Sequence, residues 1–504
     1  MRQVRNGVAR AAAGDGSNGG SNGGSNGGTS GGPGGGGARG ATGPGRGDRP
    51  NGPAGLRAQA VAAHRAGRLE EAFALYRAHL ARTPGDAHAW TNLGALLRRQ
   101  GRHDAAALCQ RRAHALAPDD LAILGNLGNA LHDSDALDEA LEVRRRLVAA
   151  RPEAAEAHAM LAATLRGLGR GREGAAAAEA GLARHPGDGE LRVQRALSLL
   201  SAHDWAAGFE AFAARWETGE LVRAACPLPE WRGEDPAGRR ILVLPEQGFG
   251  DALLMTRFLP VLAARGAEVF LAAKPGLTRL FDGLPGVTRL LSTGDPWPDA
   301  EFSAHMMDLP RWLGVPETGP PPSPPLRIPD RSKARAARLT APYAKRFRVG
   351  VCWSGSVTYR ANFKRSFGPE RFLPLAGIPD VQLFSLYKGP LLEAFRADAA
   401  SALIVDAAGG DRDFADAAAT ILEMDLVITM DTAVAHLAGV LGKPVWNLLA
   451  FAPFWLYGPE GTTTPWHPSM RLIRQARPGD WDGVFAAVAA GLEAETAQWR
   501  EARR

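Results

Sequence analysis

Apolar positions in the first half of the chain follow a helical period, and the whole pattern returns every 34 residues. Proline occupies one position of this repeat, and small or turn-forming residues occupy three others. The repeated residues are Pro84, Pro118, Pro152 and Pro186; Gly67, Gly101, Asp135 and Gly169; Ala60, Gly94, Gly128 and Ala162; and Ala72, Ala106, Ala140 and Gly174. Each unit predicts two amphipathic helices that meet at small residues and end at a proline. Since one pair cannot bury its apolar face alone, the pairs are expected to stack as a solenoid.

The repeated segment resembles the tetratricopeptide family. The resemblance is carried by WTNLGALLRRQGRHDAA, from Trp90 to Ala106, and by LGNLGNALHDSDALDEA one period later. Four repeats are predicted over residues 54–186, and a fifth, degenerate and rich in aromatic residues, over 187–220 as a cap. Asn92 and Asn126 share one repeat position. They could hold a peptide in the groove of the solenoid, or asparagine could simply be common at that position.

From residue 239 the pattern changes to short, continuous apolar runs separated by amphipathic stretches, which is typical of buried parallel strands and helices. Three such runs come first: RRILVLPEQ, AEVFLAA and VTRLLS. After a proline-rich segment five more follow: RVGVCW, VQLFSLYK, SALIVDAA, MDLVITM and KPVWNLLA. The pattern predicts two Rossmann-like lobes, residues 221–343 with the proline-rich linker and residues 344–504.

Composition narrows the classes of function. The chain has 504 residues with 59 Lys and Arg against 53 Asp and Glu, but seven arginines and only two acids lie in residues 1–57. Residues 1–53, which are rich in glycine, are therefore predicted to be a disordered tail, and the near-neutral remainder argues against nucleic-acid binding. No apolar stretch approaches the roughly 18 residues of a membrane span, and no export signal is recognisable. The three widely spaced cysteines suggest no disulfide framework, so a soluble, cytoplasmic protein is expected.

Loops that follow parallel strands are where ligands bind in such folds. The first candidate loop, Gln247–Asp251, comes between a strand and a helix. Gly248 and Gly250 permit close approach of a ligand to the backbone, and Asp251 is either a cap of the helix or a general base. The loop lacks the third glycine of a dinucleotide-binding fingerprint and the Gly-Lys pair of a P-loop, so a dinucleotide-dependent oxidoreductase is a weaker alternative.

Two further loops bring hydroxyls and cations, which suit phosphate oxygens. One contains Ser354, with Lys364 downstream, and the other contains Lys388. A fourth loop turns from a strand at Met430 into a helix through Asp431, Thr432 and Ala433, and His436 lies on its first turns. Backbone N–H groups at this helix start predict an anion site that fits a diphosphate. Taken singly, Asp431 could be only a cap and His436 only an interior histidine.

The segments GFGDALLMTRFLP and DTAVAHLAGVLGKPVW resemble family 9 glycosyltransferases, the heptosyltransferase-like enzymes. Together with the repeats they are similar to the architecture of protein O-linked N-acetylglucosamine transferases. The resemblance implies an α-helical tetratricopeptide solenoid followed by an α/β GT-B region of two Rossmann-like lobes. It implies that Asp251 is the base, and that Asp431, Thr432, Ala433 and His436 hold the donor's diphosphate and nucleoside. Ser354, Lys364 and Lys388 are expected to contact phosphate.

The function implied is inverting transfer of a sugar from a nucleotide-diphosphate sugar to an acceptor hydroxyl on a protein or glycan. No cofactor and no metal are expected: Asp411 and Asp413 are interpreted as a solvated turn and a helix cap. The repeats are expected to recruit a protein acceptor or partner. The alternative is a tetratricopeptide scaffold whose glycosyltransferase-like region is catalytically inactive.

Overall fold

The structure, a computed structural model, describes residues 52–504 except 293 and 360, so the predicted tail lies almost wholly outside the described residues. The described chain divides into two compact units. One contains residues 52–168 and Ala176–Leu191, and the other contains Gly169–Ala175 and Arg192–Arg504. The boundaries that the sequence predicts at residues 220 and 343 both fall inside the second unit. Among the described residues no helix is long and apolar enough to cross a bilayer.

The repeats form pairs of helices with the predicted period. In chain order these are α1 (Pro53–Arg65), α2 (Leu69–Leu80), α3 (Ala87–Arg99), α4 (His103–Leu116), α5 (Leu121–Asp133), α6 (Leu137–Ala150), α7 (Ala155–Gly167) and α8 (Gly171–Leu182). The first helices of the pairs begin at residues 53, 87, 121 and 155, which are 34 residues apart. Asp86 and Asp120 cap α3 and α5 by accepting backbone N–H groups of the first turn, which satisfies donors that lack an intrahelical partner.

The turn within each pair explains one of the repeated sequence positions. Gly67, Gly101, Asp135 and Gly169 all adopt positive φ, between 58° and 75°, a conformation that glycine reaches without strain and aspartate tolerates. The repeated small residues are buried where the helices meet: Ala60, Ala72, Ala106, Ala140 and Ala162 are fully buried. Helical repeats of the tetratricopeptide type therefore form the first part of the described chain.

The period continues into a fifth pair. Helices α9 (Gly189–Ser201) and α10 (Trp205–Phe212) begin 34 residues after α7 and α8, and His203 between them also has positive φ. Trp205, Phe209 and Phe212 are buried in the same core as the strands that follow. The predicted degenerate repeat is present, and its aromatic side chains pack with the α/β region.

A parallel sheet of four strands comes next. Its elements are β1 (Arg240–Leu244), α11 (Phe249–Met255), α12 (Phe258–Ala264), β2 (Glu268–Ala272), α13 (Thr278–Phe281), β3 (Arg289–Leu291), β4 (Phe302–His305) and α14 (Leu309–Leu313). The strand order is β3-β2-β1-β4, with all pairs parallel. Strands β1 to β3 match the predicted runs, whereas β4 was not predicted because FSAH is short and partly polar.

The second sheet has six parallel strands. Its elements are α15 (Asp330–Thr340), β5 (Phe347–Cys352), α16 (Asn362–Arg365), β6 (Val381–Ser385), α17 (Leu392–Ala397), β7 (Ile404–Asp406), α18 (Phe414–Leu422), β8 (Leu426–Met430), α19 (Ala433–Val440), β9 (Val445–Leu449), β10 (Met470–Arg474) and α20 (Trp481–Glu501). The order is β10-β9-β8-β5-β6-β7. Because β8 and β5 are neighbours, the loops after them lie at the same edge of the sheet.

Candidate functional site

The start of a helix that follows a strand of the first sheet packs against the start of a helix that follows a strand of the second sheet. Helix α11 follows β1, helix α19 follows β8, and the two helices are in contact. Gly250 on α11 makes this approach possible: a Cβ at Gly250 would lie 2.7 Å from Cδ2 of His436 and 3.6 Å from Cα of Ala433. The structure therefore brings Gly250, Ala433 and His436 together, although they belong to the two separate lobes that the sequence predicts.

Asp251 is the third residue of α11 and closes the glycine loop. Its Oδ2 accepts a hydrogen bond from the backbone N–H of Gly248 at 2.8 Å. Burial raises the pKa of Asp251 to about 6; Asp431 adds to this rise, whereas the Gly248 N–H and Lys274 oppose it. Asp251 is thus a capping residue and also a carboxyl group whose pKa is closer to neutrality than usual, which is the property of a general base.

Asp431, directly after β8, is buried and accepts hydrogen bonds from two side chains of separate segments. The hydroxyl of Tyr457 donates to its Oδ1 at 3.0 Å, and Arg365 Nη1 donates to its Oδ2 at 3.3 Å. His436 Nε2 lies 3.9 Å from Oδ1. Asp431 therefore fixes the positions of Arg365 and Tyr457 beside the start of α19.

Thr432 is the N-cap of α19. Its Oγ1 accepts from the backbone N–H of Val434 at 3.2 Å, and the Oγ1 of Thr429 lies 3.3 Å away. The helix that Thr432 caps begins at Ala433. Its first N–H groups have no acceptor within the helix, and the positive end of the helix dipole adds to their attraction for an anion.

The Ser354 loop lies against the same helix start. Ser354 Oγ accepts from Asn362 Nδ2 at 3.2 Å and lies 3.3 Å from Ser366 Oγ. At the next position, a Cβ on Gly355 would lie 3.2 Å from Arg365 Nη2 and 3.4 Å from Thr432 Cγ2. The predicted phosphate loop and the predicted helix start are therefore adjacent, with the guanidinium of Arg365 between them.

The two lysines predicted to contact phosphate, Lys364 and Lys388, lie on different segments. Lys364 lies on α16 beside Arg365 and is partly exposed. Lys388 is exposed, and its Nζ donates to the backbone carbonyl of Asp411. Lys388 thus lies in the loop after β6 and reaches the loop after β7, where its contact is with backbone rather than with the residues around Asp431.

The loop after β7 differs in part from its interpretation as a solvated turn. Asp413 does cap α18, accepting from Ala415 N–H at 3.0 Å. Asp411, in contrast, is buried and paired with Arg335. The prediction that Asp411 lies in a solvated turn is therefore wrong. It failed because no local pattern in the sequence indicates that Arg335 faces Asp411.

Sequence reasoning missed several groups of the site, because each comes from a segment with no motif of its own. They are Tyr457, His467, Lys274 and an ion cluster behind the glycine loop, formed by Arg215, Glu246 and Asp308. In that cluster Arg215 donates to both oxygens of Glu246, at 3.1 and 2.9 Å, and to Asp308 at 2.8 Å. All three are more than nine-tenths buried. Burial raises the pKa of Glu246 to about 7, which Arg215 opposes.

Within the described part of the chain, no group of three or more His, Cys, Asp or Glu side chains could hold a metal ion.

Comparison with known proteins finds no family model that matches the chain. Protein FlbA of Caulobacter vibrioides is 28% identical over 339 residues, which cover 61% of this chain and 56% of FlbA. The chain thus spans about half the length of that relative. Among solved structures, MamA from Desulfovibrio magneticus RS-1 matches 34% of this chain and 94% of its own, at 20% identity and a TM-score of 0.30. YrrB, a TPR protein with an unusual peptide-binding site, matches 33% of this chain and 86% of its own, at 17% identity and a TM-score of 0.30.

The helix positions and sheet order define the class of protein. Helical repeats of the tetratricopeptide type are followed by an α/β region of parallel strands. Its candidate site lies where the loops after β1, β5 and β8 meet.

Replacing Gly250 with alanine is expected to separate α11 from α19, because the added Cβ would overlap the His436 ring at 2.7 Å. The α/β region should lose ~1–3 kcal/mol of stability, the usual cost of overpacking. Denaturant unfolding followed by tryptophan fluorescence measures this loss. Gly377→Ala is the matched control, since Gly377 is exposed and a Cβ there meets nothing within 4 Å. Equal midpoints for the two variants would contradict the close packing of Gly250 against His436.

Proposed function

We propose that the α/β region is a GT-B glycosyltransferase that moves a sugar from a nucleotide-diphosphate sugar to an acceptor hydroxyl, with inversion. The observation that carries this proposal is the approach of two helix starts at Gly250 and His436. It places a carboxyl group with a raised pKa, Asp251, near the capped N-terminus of α19. A base and an anion site close together are what this transfer requires.

In the proposed reaction Asp251 takes the proton from the acceptor hydroxyl. Its Oδ2 already accepts the Gly248 N–H, but a carboxylate has further lone pairs for the acceptor proton. The acceptor oxygen forms a bond to the anomeric carbon as the bond from that carbon to the diphosphate oxygen breaks. The electron pair of the broken bond leaves with the diphosphate, while the proton stays on Asp251.

The leaving diphosphate gains negative charge as the bond breaks, so the site must stabilise that charge. The N–H groups at the start of α19, Arg365 and the imidazole of His436 surround the proposed position. Fixed donors of this kind stabilise charge without having to reorient during the reaction. Ser354 and Thr432 contribute by holding the two loops in place, as their hydrogen bonds within the loops indicate.

The test uses the purified full chain and a panel of nucleotide sugars, with binding measured by calorimetry and turnover by release of the nucleoside diphosphate. If Asp251 is the base, kcat/KM should fall tenfold per pH unit below about pH 6, because the protonated carboxyl, with its pKa of about 6, cannot accept a proton. The nucleotide-sugar affinity should change much less over the same range. A rate that stays constant from pH 7 to pH 5 would exclude Asp251 as the base.

The second candidate is a scaffold in which the helical repeats bind a protein and the α/β region has no activity. The regular array of helix pairs favours it, because such repeats present extended binding surfaces. If no nucleotide sugar binds at millimolar concentration, the scaffold is the better account. If transfer is observed, the repeats are proposed to recruit a protein or glycan acceptor to the enzyme.

A further inference from the structure

A second histidine lies directly behind the histidine of the candidate site. His467 Nε2 is 3.1 Å from His436 Nδ1, and the two ring centroids are 5.3 Å apart. Both rings are buried, with 5% exposure for His436 and none for His467. Gly439, one turn after His436 on α19, is packed against the His467 ring: a Cβ there would lie 2.5 Å from Nδ1. The pair is therefore an enclosed contact.

Both imidazoles are neutral at pH 7. Burial lowers the pKa of His436 to about 4, with Arg257 and Arg365 adding to the decrease and Asp431 opposing it. Burial also puts the pKa of His467 well below its usual value. A neutral imidazole carries one proton, on either Nδ1 or Nε2. Only one hydrogen fits between His436 Nδ1 and His467 Nε2, which are 3.1 Å apart. The tautomer of one ring therefore determines the tautomer of the other.

Two arrangements are possible. If His436 Nδ1–H donates to His467 Nε2, the remaining proton of His467 sits on its Nδ1, which is buried and has no hydrogen-bond partner among the described residues. If His467 Nε2–H donates instead, that Nδ1 carries only a lone pair. A buried N–H without an acceptor is rarer and more costly than an acceptor without a donor, so the second arrangement is favoured.

The surroundings of the other end of His436 favour the same arrangement. Its Nε2 lies 3.9 Å from Oδ1 of Asp431, whose carboxyl oxygens accept from Tyr457 and Arg365. A lone pair on Nε2 would face that carboxylate unfavourably, whereas an N–H there is attracted to it. Both ends of the pair thus select one proton arrangement.

We propose that His467 is a positioning residue that holds His436 in its Nε2–H tautomer, so that a neutral imidazole offers an N–H donor at the start of α19. A neutral donor can hydrogen-bond a phosphate oxygen at pH 7 although the ring is not protonated. The tautomer rests on the contacts and the burial of the two histidines. Its use in binding a diphosphate rests on the proposed function.

The test is solid-state NMR of the full chain labelled with ¹⁵N-histidine, in which the His436 signals are assigned by their loss in His436→Gln. We expect a protonated Nε2 and an unprotonated, hydrogen-bonded Nδ1. In His467→Leu the Nδ1 signal should move to that of an acceptor without a donor, and binding of inorganic pyrophosphate should weaken about fivefold, the usual worth of one hydrogen bond. His467→Gln, whose amide can donate in the same place, should restore both.

A protonated Nδ1 on His436 in the unmodified chain would overturn the proposal. So would pyrophosphate affinities that are equal in the Leu variant and the unmodified chain. If His467→Leu does not fold, the spectrum of the unmodified chain and the Gln variant still decide the tautomer. If the tautomer is as stated but pyrophosphate does not bind to the unmodified chain, the proposed function fails while the positioning role of His467 stands.

Discussion

Replacement of Asp251 by asparagine is expected to reduce sugar transfer by about 10²–10⁴-fold, the usual contribution of a positioned general base. Asparagine keeps an oxygen that can accept the Gly248 N–H, whose bond to Asp251 is 2.8 Å long, so the start of α11 should be preserved. It cannot take a proton from the acceptor. The loss should therefore appear in kcat, measured with saturating donor, whereas donor affinity measured by calorimetry should change less than about threefold.

The control for this variant is a capping aspartate elsewhere in the same unit. Asp480 caps α20, accepting from Gly483 N–H at 3.0 Å, so Asp480→Asn tests the loss of a capping carboxylate by itself. It should leave turnover unchanged. Transfer at an undiminished rate by Asp251→Asn, with donor binding intact, would show that another group is the base.

Replacement of Arg215 by alanine is expected to have the largest effect on stability. Arg215 is the partner of Glu246 and Asp308 in a cluster where all three side chains are nearly inaccessible to water. Removing it leaves two buried carboxyl groups without their cation. Breaking a buried ion pair from one side typically costs ~3–5 kcal/mol, and chemical unfolding followed by tryptophan fluorescence should show a loss of this size for the α/β region.

Arg311→Ala is the matched control for Arg215. Arg311 pairs with Glu210, whose side chain is 62% exposed, and exposed pairs contribute roughly 0–1 kcal/mol. The two variants remove the same kind of side chain from ion pairs that differ in exposure. If both lower the unfolding midpoint equally, the buried cluster does not have the role described for it.

The repeats could be predicted in detail because their determinants are local. Each helix pair needs a turn with positive φ, a cap and small residues at the crossing, and these recur at fixed spacing: the φ values of Gly67 and Gly101 are 75° and 74°. The same holds for most strands, since buried parallel strands are written as apolar runs. Strands β4 and β10 lack such a run: β4 includes Ser303 and His305, and β10 includes Arg471 and Arg474. Only their pairing with β1 and β9 identifies them as strands.

The candidate site was predicted in part. Strand–turn–helix patterns located Asp251 and the segment Asp431–His436, because a glycine turn or a cap is a local signal. They did not show that Gly250 touches His436, which is 186 residues away in the sequence. The phosphate role that the resemblance suggests for Lys388 stays a prediction, and no local pattern indicated that its Nζ donates to the carbonyl of Asp411. The partners of Asp431 and His436, among them Tyr457 and His467, carry no motif.

The sequence by itself determined the 34-residue helix pairs, the change to parallel strands near residue 239 and the helix starts that could bind an anion. These features depend on periodicity, caps and turns, which act over a few residues. Only the tertiary structure decided which loops meet, that Asp431 is held by Arg365 and Tyr457, and that His467 lies behind His436. Those contacts join distant segments, and they follow from strand order and helix packing, which no local pattern specifies.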